Sequence, residues 1–241
     1  MNRLRVVLVR TQFAGNIGSA ARAMRNMGCS DLVLVAPEAS PLDEQADAMA
    51  THHGRAILQG ARIVPTISEA VADCVLVAGT SARVAGLYRG QSAASLPEVG
   101  PVLAGAMAAG PVALVFGPER TGLENDEARL CHCLVTIPAD ETHPVLNLAQ
   151  AVAICLYEVR RSWLAGSMPL PDIAPYEEQE RMLGRLKEAL TRSRYLRGPG
   201  GASLFHAVRQ LLVRSRLSSV EVRLLLGLSQ QIDWLSGKAG L

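Results

Sequence analysis

Short apolar runs alternate with helical patterns through the first part of this chain, and that alternation leaves few folds open. Residues 5–9, 32–35, 74–78, 112–116 and 134–137 are rich in Val, Leu and Ile and read as buried strands, with 63–64 as a further short one. Between them, 17–27 has helical spacing and Gly28 is placed to end it. Residues 68–73 and the Ala-rich 102–109 are also expected to be helical. Strands that are apolar on both faces and separated by helices form a largely parallel sheet covered on both sides, an α/β fold.

Residues 146–163 carry one long helical pattern. The segment Ala165-Gly-Ser-Met-Pro-Leu-Pro-Asp-Ile-Ala-Pro175 then reads as a linker. Beyond it no strand pattern survives, and 176–193, 202–215 and 218–236 read as three amphipathic helices. The expected organisation is an α/β domain over 1–165, a linker over 166–174 and a small all-α domain over 175–241.

The chain has 241 residues, 49% hydrophobic and 19% charged, which excludes global disorder. A net charge of +2 neither demands nor excludes nucleic acid, because a local basic face can act alone. Arg192, Arg194, Arg197, Arg209, Arg214 and Arg216 give the helical part such a face. Aromatic residues make up only 4%, so stacking of bases on exposed rings is not a theme. No apolar run reaches the roughly 18 residues of a membrane span, and Met1-Asn-Arg-Leu-Arg5 runs straight into a strand without a signal-peptide pattern. Five scattered cysteines do not suggest a disulfide framework, so a reducing cytoplasm is expected. Cys131-His132-Cys133 is too tightly spaced for a zinc knuckle and lacks a second ligand pair, so no metal is expected.

Three clusters sit at element ends, where parallel sheets bind ligands. The first is Asn16-Ile-Gly-Ser-Ala-Ala-Arg22, expected to open the first helix, with Gly18 permitting a close backbone approach. The second is Phe116-Gly-Pro-Glu-Arg-Thr-Gly-Leu-Glu-Asn125, where Gly117 and Pro118 stop a strand and Gly122 turns the chain. The third is Ile137-Pro138, a polar loop, and Pro144-Val-Leu-Asn-Leu148. Asn147 stands among Leu and Ala, where an amide needs partners, and is expected to brace a neighbouring loop. Neither a dinucleotide-binding glycine pattern nor a P-loop is present. The histidines read as surface or packing residues, except that His143 lies in the third cluster.

In this order and spacing the clusters resemble the three motifs of the SPOUT-class RNA 2′-O-ribose methyltransferases, the SpoU/TrmH superfamily. Asn16-x-Gly18-x-x-x-Arg22 is similar to the first, Phe116-Gly-Pro-Glu119-x-x-Gly122-Leu-x-Asn125 to the second, and Ile137-Pro138 with Leu146-Asn-Leu-Ala-x-Ala-Val152 to the third. Thr80-Ser-Ala-Arg83 and the helical C-terminal extension look like the TrmJ-type tRNA methyltransferases. The resemblance implies a parallel sheet with a C-terminal trefoil knot, a homodimer, S-adenosylmethionine as cofactor and RNA bound across two subunits. It implies transfer to a cytidine or uridine ribose of tRNA, on an anticodon-loop pyrimidine, with ribosomal RNA as the alternative substrate and a non-catalytic RNA-binding module as the alternative role. It places Arg22, Asn16, Glu119 and Asn147 in the catalytic machinery, and Thr80, Ser81, Ala82, Gly117, Ile137, Val145 and Leu146 against the cofactor. Arg22 is expected to clamp a phosphate and stabilise charge on the ribose oxygen, Glu119 to brace the cofactor loop and Asn16 to order the first loop. The family's Ser before Leu-Asn of the third motif is replaced by Pro144-Val145, so its hydroxyl is missing, and Pro144 offers no N–H. His143 is near enough to substitute for it.

Overall fold

The computed structural model describes residues 1–82, 93–166, 173–198 and 200–238. Among them, β1 (Leu4–Val9), β2 (Asp31–Val35), β3 (Arg62–Val64), β4 (Leu76–Thr80), β5 (Ala93–Ser95), β6 (Val112–Phe116) and β7 (Cys133–Thr136) form one sheet in the order β3-β2-β1-β6-β4-β7-β5. Every pairing is parallel. The runs are apolar throughout because both faces are covered. Leu4, Val6 and Leu8 enter one core, and Val7 and Val9 the core on the opposite face.

The first core lies under α1 (Ala14–Met27), α2 (Glu44–Gln59), α4 (Leu96–Ala106) and α6 (Leu148–Leu164). The second lies under α3 (Ile67–Val71) and α5 (Asn125–Leu130). Arg5 is the exception inside β1. Its buried guanidinium meets Asp31 at 2.7 Å, Asp73 at 2.5 Å and the Ala70 carbonyl at 2.8 Å, so the charge is fully partnered.

Helix α2 and strand β5 had no counterpart in the sequence reading. Thr51, at φ 57° and ψ 179°, interrupts α2 and splits its periodicity into two short pieces. The first helix begins at Ala14 with Phe13 at the cap, so Asn16 lies inside the first turn and does not open the helix. Gly28 does end it, at φ 71°. The close approach at Gly18 is made by another helix: a Cβ there would overlap the Ala46 carbonyl oxygen of α2. Residues 74 and 75 precede β4, which runs on to Thr80, and α4 starts six residues earlier than expected, from a Ser95/Glu98 capping box.

Helices α7 (Tyr176–Arg192), α8 (Gly201–Arg214) and α9 (Ser219–Lys238) follow the expected pattern and share a small core of Met182, Leu183, Val213, Leu217 and Val222. Ile173 and Ala174, from the expected linker, are buried; 167–172 and Arg83 lie outside the described residues. The helices are anchored at the amino-terminal end of β4, where the Tyr176 and Glu177 amides donate to the Cys74 and Ala72 carbonyls at 2.7 and 3.0 Å. Arg209 reaches across to the Arg129 carbonyl at 3.2 Å. Among the described residues no helix is long and apolar enough to cross a membrane.

At this junction His132 is buried, its Nδ1 accepting from the Val77 amide at 3.2 Å and its ring 5.4 Å from that of Tyr176. Burial, with Arg209 nearby, pushes its pKa down to about 3. The folded chain therefore keeps His132 neutral while the unfolded imidazole takes up a proton below about pH 6.5. The unfolded state binds more protons in that window, so stability falls as pH drops. Between pH 7 and 5 this single group is expected to cost about 2 kcal/mol, at roughly 1.36 kcal/mol per pH unit below the unfolded pKa. Urea midpoints across that range should fall less steeply in His132→Gln; an equal slope would assign the effect to other groups.

Candidate functional site

The cleft lies beyond the carboxyl ends of β4, β6 and β7, the edge at which a parallel sheet offers free backbone groups. Its lining includes Thr80, Ser81 and Ala82 after β4, Phe116 to Leu123 after β6, and Ile137, Pro144, Val145 and Leu146 after β7. All seven residues assigned to the cofactor, Thr80, Ser81, Ala82, Gly117, Ile137, Val145 and Leu146, line this one cleft. Its volume of about 190 Å³ is more than ten times the roughly 10–15 Å³ that a single water requires.

Two of these contacts are already committed. The Thr80 hydroxyl donates to the Val115 carbonyl at 3.2 Å, and the Ser81 amide to the Val135 carbonyl at 2.9 Å. Both ties fix the end of β4 between β6 and β7. The second loop is held by its own turn: the Gly122 amide donates to the Pro118 carbonyl at 2.9 Å, with Gly122 at φ 65°. The loop folds back so closely that a Cβ on Gly117 would overlap the Leu123 nitrogen and the Gly122 carbonyl carbon.

The three sequence clusters meet in a single hydrogen-bond chain. Asn147 Nδ2 donates to Asn16 Oδ1 at 2.9 Å, and Asn16 Nδ2 donates to Glu119 Oε1 at 2.8 Å. Glu119 Oε2 accepts from the Gln12 amide at 3.0 Å. Asn147 also caps α6, accepting from the Ala149 and Gln150 amides at 2.9 and 3.4 Å. Glu119 is thus a brace whose two oxygens hold the first loop, and Asn147 is both cap and brace. Beside the cleft lies a second groove lined by Phe13, Asn16, Ser19, Gln45, Met49 and Asn147, among others. Glu119, Leu146 and Leu148 are common to both, so the two spaces share a wall.

Arg22 is not brought into this arrangement. It is exposed on α1, two turns beyond Asn16, and lines neither space. Sequence reasoning missed Arg10, whose guanidinium bonds Glu127 and, at 3.0 Å, Glu124, the two capping residues of α5. A lone Arg at a strand end facing a Glu-x-x-Glu pair was the available signal. Gln12 acts through its backbone and left no signal in side-chain type.

The third loop carries a local relay. Asp140 Oδ1 accepts from the Thr142 amide at 2.9 Å and from the Thr142 hydroxyl, and His143 Nδ1 lies 3.3 Å from Thr142 Oγ1. The His143 amide donates to the Asp140 carbonyl at 3.1 Å, closing a tight turn. The hydrogen bonds from Thr142 hold the Asp140 carboxyl below the usual carboxylate range. Among the described residues, no group of three or more His, Cys, Asp and Glu side chains converges as a metal site would require.

The chain's relatives carry the same framework. Residues 3–157 match the model of the SpoU rRNA methylase family. The tRNA (cytidine/uridine-2′-O-)-methyltransferase TrmJ of Salmonella typhimurium is 38% identical over 247 residues, covering 97% of each chain. The crystal structure of TrmJ from Z. mobilis superposes with a TM-score of 0.80 at 35% identity, over 95% of this chain and 98% of that one. A solved structure described as giving structural insights into the 2-OH methylation of C/U34 on tRNA matches with a TM-score of 0.53 at 25% identity, over 68% of this chain and 97% of that one. With the family's pattern running from β1 into α6 and the two TrmJ relatives matching over 95–97% of the chain, the chain belongs to the SpoU rRNA methylase family.

Proposed function

We propose that this chain is an S-adenosylmethionine-dependent tRNA (cytidine/uridine-2′-O-)-methyltransferase acting on an anticodon-loop pyrimidine. The observation that carries the reading is the convergence of Asn16, Glu119 and Asn147 on one hydrogen-bond chain at the wall of the cleft. The choice of tRNA over ribosomal RNA rests on relatives that match through α7–α9, beyond residue 157 where the family model ends.

The lining fits the cofactor. Phe116, Leu123, Val135, Ile137 and Leu146 offer an apolar wall for a nucleoside, and the loop ends around Gly117 and Val145 offer backbone groups at its edge. When bound, S-adenosylmethionine supplies an electrophilic methyl group. The chain's own work is placement: the shared wall of Glu119, Leu146 and Leu148 sets the second groove, which would take the target ribose, directly against the cofactor space. Arg22 offers a planar fork of N–H donors and serves as a clamp for an RNA phosphate and for charge developing on the ribose oxygen.

The finer architecture is part of the same proposal. A trefoil knot is supported by the placement of β4 between β6 and β7, with residues 137–147 returning beside the second loop to reach α6. A homodimer is supported by exposed Ile154, Tyr157 and Leu164 along α6 and by Phe13 and Met49 at α1 and α2. It would give Arg22 a partner's groove to act in. An α/β domain over 1–165 and a helical domain over 175–241 fit the separate core of α7–α9, and five cysteines outside any disulfide fit a cytoplasmic location.

Labelled methyl transfer onto bulk tRNA and ribosomal RNA, followed by nucleoside mapping, tests the reading. Label is expected as a 2′-O-methylpyrimidine in tRNA; label in ribosomal RNA alone would replace the substrate. Arg22→Ala is expected to lower transfer at least about 100-fold, the loss typical of removing one transition-state donor, with cofactor affinity in calorimetry nearly unchanged. An active Arg22→Ala enzyme would remove Arg22 from the machinery.

A further inference from the structure

The backbone leaves β1 at Arg10 with φ 47°, a left-handed conformation that an arginine keeps only where its surroundings hold it. The Arg10 amide donates to the Val35 carbonyl at 2.9 Å, and the Thr11 carbonyl accepts from the Glu38 and Ala39 amides at 3.1 and 3.0 Å. Because β1 pairs with β6, with Leu8 beside Phe116, this turn emerges alongside the second loop.

From the turn, two grips reach the two ends of that loop. Near its start, Glu119 Oε2 accepts from the Gln12 amide at 3.0 Å. At its finish, the Arg10 guanidinium donates to both oxygens of Glu127, with Oε2 at 3.2 Å, and to Glu124 Oε1 at 3.0 Å. Glu124 directly follows Gly122 and Leu123, which line the cleft. We propose that Arg10 is a positioning residue for S-adenosylmethionine, fixing the far end of the 117–123 loop while Gln12 fixes the near end, so that the cleft wall keeps its binding shape. This rests on the methyltransferase reading above.

An ordinary surface ion pair contributes little. The Arg10 contact differs in three ways. Its fork meets one carboxylate through two nitrogens, Nη1 to Oε1 and Nη2 to Oε2, the geometry that makes arginine pairs strong. The Glu127 side chain is only 14% exposed, so salt and water screen it weakly. Its Oε2 also accepts from the Glu124 amide at 2.8 Å, so the oxygen that Arg10 holds is the one that caps α5.

Without the guanidinium, the Glu127 and Glu124 carboxylates would lose their shared counter-ion at the point where loop becomes helix. Helix α5 has six residues, too few to be stable by its own hydrogen bonds. A shift in its first turn therefore passes directly into Leu123 and Gly122. Lysine would be a poor substitute, because a point charge cannot engage both carboxylates as a planar fork does.

The test uses the full-length protein. Arg10→Gly removes the guanidinium and relaxes the backbone, since glycine takes φ 47° without strain. Calorimetry should show affinity for S-adenosylmethionine lowered about 10-fold, the scale of one lost hydrogen bond to a charged group. In methyl transfer to tRNA, KM for the cofactor should rise by the same factor, with kcat at saturating cofactor within a factor of about two of wild type. Arg10→Lys should fall between the two. Glu127→Gln keeps an oxygen for the cap and should also lose affinity; combined with Arg10→Gly it should cost little more, as expected of residues acting through one contact. In the protein without cofactor, the Gly122 amide, bonded to the Pro118 carbonyl at 2.9 Å, should exchange hydrogen faster in Arg10→Gly while the amides of β6 keep their protection. Wild-type affinity in Arg10→Gly, or fully additive losses in the double variant, would overturn the proposal and leave the methyltransferase reading intact. A fall in kcat with unchanged KM for the cofactor would also overturn it, placing Arg10 at the reacting atoms or the RNA instead. A wild-type protein that binds no S-adenosylmethionine would overturn both.

Discussion

Gly117→Ala is expected to weaken binding of S-adenosylmethionine roughly 10- to 100-fold, and to lower methyl transfer with it. The new methyl would fall inside the backbone of Gly122 and Leu123, neither of which is the end of a flexible side chain. The loop from Pro118 to Leu123 must then swing away from β6. Gly122 and Leu123 line the cleft themselves, so the movement changes its wall. Methyl insertion into packed structure costs about 1–3 kcal/mol. If the loop must distort to bind, that cost appears as roughly a 10- to 100-fold loss of affinity. Calorimetry with the cofactor reads this directly. Circular dichroism should remain native, because the loop lies beyond the carboxyl ends of the strands and, of its residues, only Leu123 belongs to the apolar core. Wild-type affinity in Gly117→Ala would show that the loop does not hold the cofactor.

Gly18→Ala is expected to have the largest effect on stability. Here the added methyl meets the Ala46 carbonyl oxygen, carbonyl carbon and Cα. Helices α1 and α2 can relieve it only by separating. Their contact is built from small residues on both sides: Gly18 and Ala21 on one, Ala46, Ala50 and Gly54 on the other, all buried. The expected loss is about 3 kcal/mol, the upper range for overpacking. In a chain of this size that is a fall in Tm of roughly 6–12 °C. Gly184→Ala supplies the opposite sign in the same assay. Gly184 lies inside α7 with open space around it, so the substitution should gain up to about 1 kcal/mol of helix propensity. A Gly18→Ala protein as stable as the wild type would show that α1 and α2 slide freely.

The contrast between these glycines shows where sequence reading succeeded and where it stopped. The parallel sheet was legible because its strands are buried on both faces, and apolar runs such as 112–116 announce that locally. The cleft was legible as well, since its lining comes from loops that directly follow legible strands. Gly18 was recognised as a point of close approach, but its neighbour lies in α2, which Thr51 conceals. Asn16 looked like a cap because caps are local; its real partners, Glu119 and Asn147, are 103 and 131 residues away. No local pattern encodes such a pairing. Arg22 closed the first cluster as a fork able to meet a phosphate and took its catalytic role from the resemblance; it lines neither space within one chain.

Those long separations have a consequence for synthesis. A growing chain carries Asn16 early, yet the residue cannot find its settings until Glu119 has been made, and then Asn147. Contacts between such distant residues form late, because a large loop must first be closed. The strands β1 and β6, which bring Asn16 and Glu119 together, pair directly in the finished sheet. A nascent chain halted between β6 and α6 would therefore possess most of its sheet and two of its three motifs, but not the completed brace. Ligand competence arrives abruptly, with the last turn of backbone before α6, and separates half-made chains from finished enzyme.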